Sequence, residues 1–255
     1  MCNKARQTAM HERHKRVSCQ HIFCKALKKK EKEEPMSKKI VLDPGHGVET
    51  AGKRSPDGTY LEHEFNLDMA RRLKAILERH GVSVVLTRTT EHDVSLADRV
   101  RVSNAVGPDL FVSLHSNASG DGTDWTSPDG YGIYTSAAGD SAGRNRAARA
   151  ILARVKEAEI KLWGGGLFHN IDLYVLKHTA APAVLIEHGF HTNQVETEKL
   201  KSAAYRDKLA AADAKGILDY LGIAWAEEPA ASTGTPKEPA LVCPHCGGTL
   251  KIEKG

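Results

Sequence analysis

The sequence predicts an α/β fold: a single domain with a mostly parallel, twisted sheet flanked by helices, preceded by a basic leader and followed by a short tail. Three observations point there. Short apolar runs of strand type alternate with helix-period segments from Met36 to about Ile223. The five cysteines all lie outside residues 25–242, so no disulfide framework holds that segment together. No apolar run approaches the roughly 18 residues of a membrane-spanning helix.

Taken in order, Lys39–Leu42 (KIVL) is a short apolar run, readable as a buried strand that ends in the turn Asp43-Pro44-Gly45-His46-Gly47. Leu61, Phe65, Met69, Leu73, Ile76 and Leu77 recur at helical spacing and predict a helix over 61–80, stopped by Gly81. Val82–Leu86 is a strand, Leu96–Val106 a short helix, and Asp109–Leu114 a strand that ends at His115. Gly130–Thr135 is a strand, and Ala142–Ile160 an Ala/Arg-rich helix. Leu173–Leu176 and Ala183–Ile186 are strands, and Ser202–Leu221 is a last helix closed by Gly222. The Gly164–Gly166 stretch, Trp125 and Tyr131 are placed in loops near the groove, with Trp125 a candidate sugar-stacking residue or a loop anchor.

The ends of the chain differ from its middle. Net charge is +4 overall, but residues 1–35 carry an excess of +6 and the rest is net −2. The basic character therefore belongs to the leader, and no nucleic-acid partner is expected of the domain. The leader has no apolar segment of secretory-signal type, since Lys25 breaks its longest apolar stretch. Met36 opens MSKKIVLDPG, which reads as a natural start. The resulting division is a leader over 1–35, a catalytic domain over 36–223, a Pro/Ala/Ser/Thr/Glu-rich linker over 224–240, and a tail over 241–255. Cys243 and Cys246 in that tail have metal-knuckle spacing, but a structural zinc needs four ligands, so the half-site stays vestigial, closes by dimerisation, or closes with Cys19 and Cys24 of the leader.

Three predicted strands end in residues that bind metal or move protons: His46, His115 and Glu187. In open α/β sheets, ligands bind beyond the carboxyl ends of the strands, so these residues can share one site. His46 sits between two glycines, where missing side chains leave room for a ligand. Glu187 follows an apolar run and begins buried, which calls for a partner, such as Arg88 or Arg99, or a function. A catalytic zinc takes three protein ligands. Besides the two histidines the candidates are Glu62, His63 and Glu64, and spacing does not choose among them.

The ordered motifs DPGHG (43–47), Glu62-His63-Glu64-Phe65-Asn66-Leu67, GVSVVLTR (81–88), SLHSNA (113–118) and PAVLIEHGFHTN (182–193) resemble the zinc-dependent N-acetylmuramoyl-L-alanine amidases of type 3, found in bacterial wall turnover and phage lysis. The resemblance covers nearly all of 36–223. It implies zinc as cofactor, held by His46, Glu62 and His115, and Glu187 as the catalytic carboxylate; Glu64 is then exposed. It implies peptidoglycan as substrate, cut between N-acetylmuramic acid and L-alanine. Neutral imidazole ligands imply activity that falls below about pH 6. Two departures stand out: His188 and His191 occupy places where the family carries apolar or small residues, and ETAGKRSPDG (49–58), with Lys53 and Arg54, replaces a Gly/Asp-rich loop. The rival readings are another zinc peptidase of the wall and a non-catalytic wall-binding protein. Without a signal peptide, the protein is expected to be made in the cytoplasm and to act on the wall after release, as an endolysin does.

Overall fold

A computed structural model describes residues 37–227 apart from 137, 138, 140 and 141. The basic leader and the Cys243/Cys246 tail, with the dimer expected through it, lie outside the described residues. The elements run β1 (Lys39–Pro44), α1 (Glu62–Arg79), β2 (Ser83–Leu86), α2 (Leu96–Val106), β3 (Leu110–Asn117), β4 (Tyr131–Thr135), α3 (Gly143–Glu157), β5 (Leu162–His169), α4 (Tyr174–His178), β6 (Ala183–Phe190), α5 (Gln194–Lys201) and α6 (Ala203–Leu221). The six strands form one sheet in the order β2-β1-β3-β6-β4-β5. Every pairing is parallel except β4 with β6.

Helices cover both sheet faces, which is why the central strands read as continuous apolar runs. Strand alternation sorts them. Ile40, Leu42, Leu110, Val112, Leu114, Val184 and Ile186 pack in one core with Phe65, Leu73 and Leu77 of α1, Ile151 of α3 and Ile217 of α6. Val41, Phe111, Ala183 and Leu185 face the other way, onto Val100 of α2 and Val175 and Leu176 of α4. Each fully buried Leu or Ile contributes about 1.5–3 kcal/mol of transfer free energy. The second face carries the thinner cover. Asp43, Ser113, His115 and Glu187 share that face by strand alternation with Val41, Phe111 and Leu185, at the carboxyl ends of β1, β3 and β6.

Three local expectations change. The strand expected at Leu173–Leu176 is the short helix α4. Leu162–His169, with its three glycines, is edge strand β5 rather than a loop. Tyr131 is fully buried as the first residue of β4, within the strand expected over 130–135 rather than in a loop at the groove, and its hydroxyl donates to Asp213 (2.7 Å).

Candidate metal centre

The turn after β1 is pinned from below. Gly45 N–H donates to the Leu114 carbonyl (3.0 Å), which ties the turn to the end of β3. Arg88 donates to the carbonyls of Pro44 (3.2 Å), Gly45 (3.3 Å) and His63 (2.9 Å). Arg99 donates to the carbonyls of Pro44 (2.5 Å) and His46 (3.0 Å), and to Asp43 (2.8 Å). Two buried guanidiniums thus satisfy the carbonyls on the side of the turn that faces away from β3. Burial, with the neighbouring Arg99 charge, brings the Arg88 guanidinium down to about 10. The clamp holds His46 at φ 58°, a left-handed conformation costing on the order of 1–3 kcal/mol for a residue other than glycine.

His46 meets Glu62 and His115 there. Glu62 opens α1, whose first turn reaches over the carboxyl edge of the sheet. Its Oε1 lies 3.4 Å from His46 Nε2 and 3.1 Å from His115 Nδ1. The donor atoms of these three residues all lie within 4.8 Å of one another. Two ligands about 2.0–2.1 Å from a tetrahedral zinc are themselves roughly 3.3–3.4 Å apart, so the two distances suit that ion, as do two imidazoles with one carboxylate. Glu62 is buried while both histidines keep partial solvent access, so the cluster opens on one side.

Outer groups orient the donors. The Glu62 Oε1 accepts from the Ser116 N–H (3.2 Å) and the Asn66 amide (3.4 Å). Burial alone would raise the Glu62 carboxyl, but the two histidines outweigh it and hold the group well below the usual carboxylate range. His115 Nε2 faces Ser113 Oγ (3.2 Å), and that hydroxyl donates to Asp43 Oδ2 (2.7 Å). With the Nε2 hydrogen donated to Ser113, the Nδ1 lone pair would be free to ligate an ion held beside Glu62. Burial lowers the His115 pKa, with Glu62 opposing, which favours the neutral, ligating form.

Glu187 pairs with His115 across the β3–β6 ladder, so the two lie side by side. It finds neither arginine suggested by its burial: Arg99 pairs with Asp43 and Asp93, and Arg88 binds carbonyls. Its Oε2 is buried with no hydrogen-bond partner among the described residues. Burial pushes this carboxyl well above the usual range; the Glu62 charge adds to the rise and Lys53 opposes it. His63 is buried with its carbonyl bound by Arg88, and Glu64 is exposed, so neither joins the cluster. His191 is buried, with Nδ1 on the Ser116 carbonyl (3.0 Å). Sequence reasoning missed the orienting roles of Asp43, Asn66 and Ser113. The first and last stand inside the DPGHG and SLHSNA motifs, where a signal was available.

A cleft of about 360 Å³ opens beside His46 and His115, walled by Val94, Leu96, Leu173, Tyr174, Val175 and Leu185. The class is thereby defined: an α/β protein with a His/Glu/His cluster suited to a metal and an unpartnered carboxyl beside it, at the carboxyl ends of parallel strands. The N-acetylmuramoyl-L-alanine amidase family profile matches residues 40–219, and the chain belongs to that family.

Among its relatives, the N-acetylmuramoyl-L-alanine amidase LytC of Bacillus subtilis (strain 168) is 35% identical over 181 residues, covering 71% of this chain and 35% of LytC. The endolysin of Bacillus phage SPP1 is 35% identical over 191 residues, covering 74% of this chain and 68% of the endolysin. The chain thus spans about a third of LytC and about two thirds of the phage protein. The catalytic domain of CwlV, an N-acetylmuramoyl-L-alanine amidase from Bacillus (Paenibacillus) polymyxa var. colistinus, superposes with a TM-score of 0.65 at 28% identity. It covers 73% of this chain and 99% of that one. An N-acetylmuramoyl-L-alanine amidase from Clostridium difficile 630 gives 0.66 at 29% identity, covering 73% and 97%. No helix among the described residues is long and apolar enough to cross a membrane.

Proposed function

We propose that the chain is a zinc-dependent peptidoglycan amidase that hydrolyses the bond between the lactyl group of N-acetylmuramic acid and the first L-alanine of the stem peptide. The observation that carries the reading is the pairing of two unlike carboxyls. Glu62 is held ionised among two imidazoles, while Glu187, beside His115 on the neighbouring strand, is driven towards its protonated form and left with a buried oxygen that has no partner among the described residues. Pairs of titratable groups pushed apart in this way divide ligand work from acid–base work.

His46, Glu62 and His115 would hold the ion, which when bound supplies a Lewis acid for the scissile carbonyl and lowers the pKa of water towards neutrality. Glu187 accepts the proton that the attacking water loses and delivers it to the leaving nitrogen. The balance is one water consumed: the acyl carbon gains its oxygen as a lactyl carboxylate, and the amine of L-alanine leaves with the proton. Amide nitrogen leaves poorly unless protonated, so a carboxyl whose pKa is raised by burial and the Glu62 charge suits both halves of the task. Ser113 and Asp43 keep the His115 ring in the tautomer a ligand requires. The cleft beside His46 and His115, with apolar walls from Val94, Leu96, Leu173 and Val175, offers room for a group of the substrate next to the cluster. A role after release from the cytoplasm, as for an endolysin, is consistent with the phage relative.

The test is turbidity loss of isolated cell walls, with the protein as prepared, after chelation, and after return of zinc. The proposal expects clearing that chelation abolishes and zinc restores. Clearing indifferent to the chelator would refute metal-dependent hydrolysis.

A further inference from the structure

We propose that His188, anchored by Asp213, is a positioning residue that sets the relation between the His115 ligand and the Glu187 carboxyl. The inference rests on the roles proposed above for those two residues.

His188 follows Glu187 in β6, so the two side chains leave opposite faces of the sheet. Glu187 enters the site, whereas His188 enters the thicker core, where it is 1% exposed. Nothing in the proposed reaction uses it. Its ring nevertheless reaches back to the site: Nδ1 lies 2.9 Å from the main-chain carbonyl of His115. That oxygen only accepts, so Nδ1 carries the hydrogen and donates. On the far side, Nε2 lies 2.9 Å from Asp213 Oδ2, midway along α6. Asp213 is fully buried, and its other oxygen accepts from the Tyr131 hydroxyl of β4 (2.7 Å). The ring stands edge-on to Phe65 of α1 (5.4 Å) and to Tyr131 (5.5 Å). One imidazole therefore touches β3, β4, α1 and α6, and two of these, β3 and α1, carry the ligands His115 and Glu62.

The location is where the sheet is least regular. The ladder pairs His115 with Glu187, then Asn117 with Phe190, so β6 spends His188 and Gly189 opposite the single residue Ser116. Such a bulge re-aims the neighbouring side chains, and a bulge needs something to hold its register. Gly189 adopts φ 146°, a conformation glycine allows. The His188–His115 bond crosses the two strands at the residue pair that holds ligand and proton carrier. An apolar residue at 188 would fill the core but leave the His115 carbonyl without that donor, and would strand a buried Asp213.

The test uses the full chain and two variants, His188→Leu and the isosteric Asp213→Asn, with Ile151→Ala, an α3 residue of the same core that takes no part in the bonds to the His115 carbonyl and the Asp213 carboxyl, as a stability control. Zinc affinity is read by competition with a chromophoric chelator, kcat and KM on a soluble muropeptide, and Tm by circular dichroism. Loss of a partner on the ring of a metal-ligating histidine weakens metal binding about 10–100-fold, which is the upper bound for a bond to that residue's main chain. The expected result is a weakening within that bound in His188→Leu with kcat reduced and KM unchanged, and a smaller change of the same kind in Asp213→Asn. Ile151→Ala should lower Tm while leaving zinc affinity and kcat alone. Wild-type zinc affinity and kcat in both site variants would overturn the proposal, as would equal losses in Ile151→Ala at a matched fall in Tm. The zinc measurement needs no substrate, so it decides the positioning role even if wall hydrolysis fails.

Discussion

Gly45→Ala removes nothing from the metal centre, yet the structure predicts that it destroys it. Gly45 is not in the left-handed region, so alanine is acceptable to its backbone. The difficulty is space. A Cβ built at Gly45 would lie 2.1 Å from His115 Cε1, 2.4 Å from Nε2 and 2.6 Å from Nδ1. Non-bonded carbons rest at about 3.5–4.0 Å, so the ring must retreat by roughly 1.5 Å. Metal sites tolerate errors of about 0.2 Å in ligand position. The retreat also breaks the contacts of the ring with Glu62 and Ser113. The turn cannot give way instead, because Arg88, Arg99 and the Leu114 carbonyl hold it. Overpacking strain of this kind costs about 1–3 kcal/mol, which lowers Tm without unfolding the domain. Zinc affinity, measured by chelator competition, should fall by more than the roughly 100-fold that loss of an outer partner produces, and wall clearing should vanish. Gly165→Ala, where an added Cβ meets nothing within 4 Å, is the control and should behave as wild type. A Gly45→Ala protein that binds zinc with wild-type affinity would refute the steric reasoning.

Other variants separate the roles. Glu187→Gln should keep wild-type zinc affinity and lose about 10²–10⁴ in kcat, the range for a general acid–base group; loss of zinc together with activity would make Glu187 a ligand instead. Ser113→Ala breaks the link from His115 to Asp43 and should weaken zinc about 10–100-fold with Tm little changed; unchanged affinity would remove the relay from the account. Asp68 pairs with Arg72 one turn along α1 and with Arg206 of α6, and although burial opposes them these arginines hold its carboxyl below the usual value. A depressed folded pKa adds stability above the unfolded value of about 3.9 that is lost as pH falls through the folded one. The site is partly exposed, so Asp68→Asn should cost only about 0.5–1 kcal/mol at pH 7 and progressively less as the pH falls below the unfolded value, by urea unfolding. An equal cost at pH 7 and below the unfolded value would contradict the ion pairs.

The sheet and its long helices were legible because their patterns are strong. Ile40 to Leu42, Leu110 to Leu114 and Ala183 to Ile186 are apolar on both faces, and α1 repeats at helical spacing over 18 residues. The misses are where pattern is weak. Leu173–Leu176 is too short for periodicity to separate strand from helix, and it turned into α4. The glycines of β5 carry no side chains to alternate, so an edge strand read as a loop. The polar α5 shows no clear apolar face; its signal was the Asn193 cap, whose side chain accepts from Glu196 N–H. At the site, strand-end histidines announced themselves through their motifs. The partners of Arg88, Arg99 and Asp213 did not, because a carbonyl 44 residues away, a carboxylate 56 away and an imidazole 25 away become neighbours only when the fold closes.

The most direct test of the central claim is mass analysis of the fragments released from purified peptidoglycan by the zinc-loaded protein. The account predicts stem peptides with a new amino-terminal L-alanine and glycan strands with free lactyl carboxylates, both absent after chelation. Fragments cut within the peptide, or new reducing sugar ends with the lactyl amide intact, would contradict it.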